Sequence, residues 1–247
     1  MTSEHFEGKS TLEHLRIARA KGAYAMAEIH GTEMPGHLSA CADSIKETAL
    51  IGLLLWIVLP FFGIEHKPLI LFLSLFTFGF FFWKVGRSAL LGWSRLTRLH
   101  RVIEEERFEI EHHREQEREE LSELYRAKGF SGKLLEEVIN VLMADDNRLL
   151  LVMLEEEMGL KLESYEHPLK QSCGAGIGVL ISALFLLGPA FLSPMGVPCA
   201  AALLFIGASL LACRAEGNRI LTTIIWNCAL ALLSASLVYL ISQAIRG

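Results

Sequence analysis

Five apolar runs without an acidic or basic side chain constrain this chain more than any other feature. A bilayer core takes about 20 residues of helix to cross, and the first two runs have 16 residues each. We expect helical extension through residues 44–48, and past Lys84 with its ammonium snorkelling to the interface, to supply the remaining length. The sequence therefore predicts an all-α integral membrane protein with five transmembrane helices. The runs are Ala49–Ile64, Pro68–Trp83, Gly174–Leu192, Val197–Cys213 and Ile220–Ile241.

Basic residues flank these runs unevenly, which predicts how the chain lies in the membrane. They cluster before the first run, after the second and after the fourth, and lysine and arginine favour the cytosolic side. These three groups share one side if the N-terminus is cytosolic, which leaves the C-terminus outside. The residues are Lys9, Arg16, Arg19, Lys21 and Lys46; Lys84, Arg87, Arg95, Arg98 and Arg101; and Arg214 and Arg219.

Between the second and third runs the chain is strongly acidic. Residues 101–166 hold 19 acidic and nine basic side chains, a balance that excludes a basic nucleic-acid surface. It favours cations as partners, although solvation alone also explains such a run. The sequence contains no Gly-x-Ser-x-Gly elbow or phosphate-binding glycine loop, so we do not expect an enzyme or an organic cofactor.

The acidic stretch is helical by pattern, with no proline from Lys84 to His167. We predict one helix over residues 84–125, a second over 133–144 and a third over 147–158 that stops at Gly159. Together they form a three-helix insert between the second and third spans. A short N-terminal helix is also expected, beginning at the capping-box spacing of Ser10 and Glu13.

Four glutamates of the first insert helix share one face. At about 100° per residue, Glu106, Glu109, Glu117 and Glu120 fall within about 80° of one another, with His113 among them. An i,i+3 pair of carboxylates can hold one divalent cation. The two pairs lie about 12 Å apart on a straight helix, so one shared ion requires a bend near residues 110–114. The alternative is an ordinary solvated helix laced with arginines.

The third insert helix adds Met153 and Glu157, which are i,i+4 neighbours and can face one point. A methionine beside a glutamate is, by itself, more often a core residue next to a surface acid. The spacing alone leaves both interpretations open.

Residues 106–160 resemble the metal-binding domain of the vacuolar iron transporter family. The matching pattern is Glu-x2-Glu-x7-Glu-x2-Glu at Glu106 to Glu120, followed by Met153 and Glu157 before Gly159-Leu160. The resemblance implies five spans, a cytosolic metal-binding insert, a homodimer, and iron(II) or manganese(II) as the transported ions. It also implies that Glu106, Glu109, Glu117, Glu120, Met153 and Glu157 are metal ligands.

The first two spans depart from that family. Asp43 stands where the family has an ion-path aspartate, but Ser44 replaces the glycine that usually follows, and Asp43 could equally be a helix N-cap. Phe76 and Lys84 fall where the family has a glutamate and a methionine. Intramembrane acids mark transport paths, and Pro68–Trp83 has none.

These patterns divide the chain into four segments: a cytosolic N-terminal segment (1–43), spans one and two (44–85), the metal-binding insert (86–170), and spans three to five (171–247). The function that the resemblance implies is export of iron(II) or manganese(II) from the cytosol, with proton exchange as a possible driving force. The alternative is a membrane-anchored metal-binding or sensing protein that has lost the transport route.

Overall fold

The computed structural model describes residues 17, 36–160, 166–216 and 219–246. All regular structure in these ranges is helical, with no strand. The predicted N-terminal helix lies outside the described residues, apart from Ile17. The helices are α1 (Gly36–Val58), which continues as a 3-10 turn over Leu59–Phe62, α2 (His66–His112), α3 (Arg114–Ala127), α4 (Gly132–Leu142), α5 (Asp146–Val152), which continues as a π-helical turn over Met153–Glu157, α6 (Pro168–Leu192), α7 (Gly196–Glu216) and α8 (Ile220–Arg246).

Five of these helices are long and apolar enough to cross a bilayer, which confirms the predicted number of spans. They are α1 with its 3-10 turn, α2, α6, α7 and α8. Many of their large apolar side chains are exposed in the isolated chain, as expected for helices whose outer faces contact lipid.

The chain separates into two compact units. Residues 36–93 and 166–246 form the unit that contains the apolar spans, and residues 94–160 belong to the other. The second unit has a hydrophobic core of its own, which includes Leu121, Ile139, Leu149 and Leu154.

Helices α1 and α6 pack with their backbones almost in contact. A Cβ at Gly174 would lie 2.1 Å from the His37 carbonyl oxygen, and one at Gly178 would lie 2.4 Å from that of Cys41. One turn further along α6, the Ser182 hydroxyl donates a hydrogen bond to the Ile45 carbonyl oxygen over 3.2 Å. Small residues spaced four apart permit such close packing of membrane helices.

Replacing Gly178 by valine is therefore expected to destabilise the protein by about 1–3 kcal/mol, because the new side chain meets the backbone of α1. The control is Gly188→Val on the same helix, where an added Cβ has no neighbour within 4 Å. The measurement is the melting temperature of the detergent-purified protein. Equal melting temperatures for the two variants would contradict the close packing of α1 on α6.

Helix α1 begins at Gly36, before the apolar run, and this overturns one interpretation of Asp43. Asp43 lies about two turns after Gly36, well inside the helix. The N-cap interpretation is therefore wrong. The first described turns of this helix pack on Gly174 and Gly178 of α6. At its other end, regular helix stops at Phe62 and Gly63 adopts a left-handed conformation (φ 76°), slightly before the predicted end at Ile64.

Candidate metal site

The predicted single helix over residues 84–125 is in fact two helices that meet at His113. This residue has φ −126° and ψ 37°, outside helical values. The His113 amide still donates to the Glu109 carbonyl oxygen over 2.7 Å, and the Glu117 amide donates to the His113 carbonyl oxygen over 3.1 Å. The break therefore changes the helix direction while keeping backbone bonds on both sides. The break lies within residues 110–114, where a bend is needed if the two glutamate pairs are to share a single cation.

The glutamates that share a face in the sequence are buried in the structure. Glu106, Glu109, Glu117 and Glu120 are 1, 6, 1 and 2% exposed. Their neighbours on other faces of the same helices are exposed: Glu104, Glu111, Glu115 and Glu119. Carboxylates are almost never fully buried unless a proton, a cation or a hydrogen-bonding group compensates them. This pattern is unlike the solvated, arginine-laced helix that was the alternative.

Met153 and Glu157 lie in the π-helical turn that follows α5. Met153 is fully buried and Glu157 is 1% exposed, whereas Glu155 between them is exposed. The Met158 amide donates to the Met153 carbonyl oxygen over 3.3 Å, the i→i+5 bond of this turn. Gly159 ends the segment with φ 69°, a conformation that glycine adopts at little cost. Single π turns occur frequently at functional sites in proteins.

Arginines on α3 fix this helix to the other helices of the unit. Arg114 donates to the Asp146 carboxylate over 2.7 Å and to the Met143 carbonyl oxygen over 2.6 Å. One turn later, Arg118 donates to the Asn140 side-chain oxygen over 2.6 Å. These bonds position the face of α3 that carries Glu117 and Glu120. Arg114 and Arg118 thus have structural partners within the unit and do not neutralise the glutamate cluster by default.

Glu117 is the electrostatic centre of the cluster. Burial raises its pKa to about 10, and the negative charges of Glu106, Glu120, Glu157 and Glu109 add to this effect. Neither of its carboxylate oxygens accepts a hydrogen bond from the protein. At neutral pH and without metal, Glu117 therefore holds a proton. A divalent cation would compensate the negative charge of the five carboxylates more strongly than this proton does.

This proton makes the stability of the metal-free unit depend on pH. Because the pKa of Glu117 is raised from 4.5 to about 10 on folding, the folded unit binds more protons between these values. The stabilisation that protonated Glu117 gives to the folded unit is complete below pH 4.5 and is lost as the pH rises toward about 10. We expect the free energy of unfolding to fall by up to about 1.4 kcal/mol per pH unit.

The measurement is urea unfolding of a fragment of residues 94–165 at pH 6, 7 and 8 with a chelator present. Glu117→Gln cannot ionise, so its unfolding free energy should vary less with pH than that of the parent fragment. A parent fragment whose stability rises with pH would show that Glu117 is ionised in the folded unit.

The donor set fits a divalent transition metal. Carboxylate oxygens suit hard cations such as manganese(II), and a thioether sulfur adds a softer donor that magnesium or calcium does not prefer. Within the described ranges, no three His, Cys, Asp or Glu side chains have the geometry of an already formed metal site. Coordination therefore requires rotation of the glutamate side chains, which are long enough to move their carboxylates by several ångströms between rotamers.

Asp43 belongs to the other unit and is not part of the glutamate cluster. Asp43 forms an ion pair with Lys46, three residues further along α1, and its Oδ1 lies 2.9 Å from Lys46 Nζ. One turn further, Glu47 Oε2 lies 3.0 Å from Lys84 Nζ. Lys84 is 7% exposed, so the expectation that it snorkels is wrong. Sequence reasoning missed this pair because its members lie 37 residues apart; the charge of Glu47 at the start of a span was the available signal.

The comparisons with known proteins agree with the architecture. The VIT family model, that of the vacuolar iron transporters, matches residues 92–243, which include the glutamate cluster and the last three spans. The match begins after the first two spans, where the sequence departs from the family pattern. The comparison with curated proteins gives no match. Because more than half of the chain is matched, the protein belongs to the VIT family of membrane metal-ion transporters.

Proposed function

We propose that this protein exports iron(II) or manganese(II) from the cytosol across the membrane in which it lies. The insert collects the cation on Glu106, Glu109, Glu117, Glu120, Met153 and Glu157. Asp43 on α1 receives it at the membrane. The protein works as a homodimer and exchanges the cation for protons.

The observation that carries the proposal is the buried Glu117, whose carboxylate has no hydrogen-bonding partner and has four other carboxylates around it. Such a group is stabilised by a proton or by a metal ion, and the two compete for it. Mixed carboxylate and thioether donors favour a divalent transition metal over the abundant hard cations. Competition with protons also explains how a proton gradient could release the ion.

A second candidate function is a membrane-anchored metal-binding or sensing protein without a conducting route. The observation that favours it is the second span. From Pro68 to Trp83, α2 contains no acid or methionine, and Lys84, directly after this run, is a buried cation. A positive charge near a cation path opposes the passage of a divalent ion.

Uptake into sealed vesicles separates the two functions. Purified protein is reconstituted with an acidic lumen, and manganese(II) is added to the outside. A transporter fills the vesicles with metal when the insert faces outward, and the lumen loses protons as metal enters. Metal bound to the protein without accumulation in the lumen, at every proton gradient tested, would favour the sensing function.

The proposed orientation can be tested separately by thiol labelling. In a cysteine-free background, single cysteines replace Ser3, Ser131 or Gly247. Because five spans place the two chain ends on opposite sides, we expect an impermeant reagent to label positions 3 and 131 from one face and position 247 from the other. Labelling of positions 131 and 247 from the same face would contradict the orientation.

A further inference from the structure

Lys84 is a buried cation in the membrane unit. It directly follows the apolar run of α2, and its side chain is 9% exposed. Burying an ammonium is costly unless an opposite charge compensates it. The compensating group is Glu47 on α1, whose Oε2 lies 3.0 Å from Lys84 Nζ.

Two carboxylates of α1 lie on the same side of this helix. Asp43 and Glu47 are four residues apart, so their side chains are neighbours. Each has a lysine: Lys46 lies 2.9 Å from Asp43, and Lys84 lies 3.0 Å from Glu47. Two negative charges are thus matched by two positive charges. Such a pair of carboxylates without its lysines would attract a divalent cation.

We propose that Lys84 is a tethered counter-ion, which occupies Glu47 and thereby keeps a divalent cation at Asp43 from also binding Glu47. An ammonium is a compact point charge with three donors, and its stem holds it permanently on α2. A divalent ion competes with this ammonium for Glu47, since the two positive charges repel each other at close range. Lys84 therefore determines which cations reach this part of α1. The consequence for ion flux rests on the proposed transport function; the effect on binding does not.

The test measures manganese(II) binding to the full-length protein in detergent by electron paramagnetic resonance. To isolate this part of α1, four insert ligands are first replaced by glutamine: Glu106, Glu109, Glu117 and Glu120. In this background, Lys84→Gln should bind manganese(II) at least about tenfold more tightly than the parent. Lys84→Arg, which keeps the charge, should bind like the parent. Adding Glu47→Gln to Lys84→Gln should abolish the gain.

Two results would overturn the proposal: equal affinity in Lys84→Gln and its parent, or a gain that survives Glu47→Gln. If the fourfold background does not yield folded protein, the same comparison is made with the insert intact. Lys84→Gln should then add one binding site to the number found for the wild type, and an unchanged number would also overturn the proposal.

Vesicle uptake by the wild type and by Lys84→Gln, both with the insert ligands intact, separates this inference from the proposed function. Faster manganese(II) uptake by Lys84→Gln supports both. A gained binding site with no uptake by any variant, the wild type included, supports the counter-ion role and refutes transport. Unchanged binding overturns the counter-ion role whatever the uptake.

Discussion

Replacing Glu117 by glutamine is expected to lower the affinity of the insert for manganese(II) about 100-fold. The substitution keeps the size of the side chain but removes the charge at the centre of the cluster. A neutral amide oxygen is a much weaker partner for a divalent cation than a carboxylate is. It also removes the group whose pKa is raised by burial and, in addition, by the other four glutamates. The measurement is anaerobic calorimetry on the fragment of residues 94–165.

The matched control is Glu119→Gln. It makes the same chemical change two residues away on the same helix, but Glu119 is exposed and points away from the cluster. Its affinity should stay within about twofold of the parent, because exposed charges are screened by solvent. If both variants lose affinity equally, the insert attracts metal only through its overall charge, and the buried cluster is not the site.

Replacing Asp43 by asparagine is expected to reduce metal uptake at least about tenfold while leaving the affinity of the insert unchanged. A carboxylate at a membrane mouth can hold a partly dehydrated divalent ion, which an amide holds far less tightly. Since Asp43 lies inside α1, a helix-capping role cannot account for such a loss. Uptake is measured with manganese(II) and sealed vesicles, and the affinity of the insert is measured by calorimetry.

The control for Asp43 is Lys46→Gln. This variant removes the partner of Asp43 at 2.9 Å but keeps its carboxylate, so uptake should be retained. Equal loss in the two variants would show that the ion pair stabilises the helix and that the Asp43 charge has no separate role. Undiminished uptake in Asp43→Asn would remove Asp43 from the proposed route.

Much of the helical architecture could be predicted from local pattern. The long apolar runs determine the spans because no other environment accepts five such segments. The helical phase that grouped Glu106 with Glu109, Glu117 and Glu120 corresponds to the buried face, and Glu104, Glu111, Glu115 and Glu119 are exposed. The glutamates before and after His113 stay on one face because backbone hydrogen bonds continue across this residue.

What could not be predicted depends on contacts between distant residues. Helix α1 is already regular at Gly36, well before the apolar run, and its first described turns pack against Gly174 and Gly178 of α6. Nothing in the local sequence reveals these partners. Lys84 looks like an interfacial lysine until Glu47 is placed beside it. Similarly, the turn from Met153 to Glu157 is π-helical although its composition suits an α-helix.

The central claim is that the buried glutamates of the insert hold a divalent transition metal. Anomalous X-ray diffraction from crystals of the fragment of residues 94–165, grown with manganese(II), tests it most directly. The account predicts a strong manganese peak bound by carboxylate oxygens of Glu106, Glu109, Glu117, Glu120 and Glu157, at about 2.0–2.3 Å. Manganese found only on exposed glutamates such as Glu111 or Glu119, with none in the buried cluster, would contradict it.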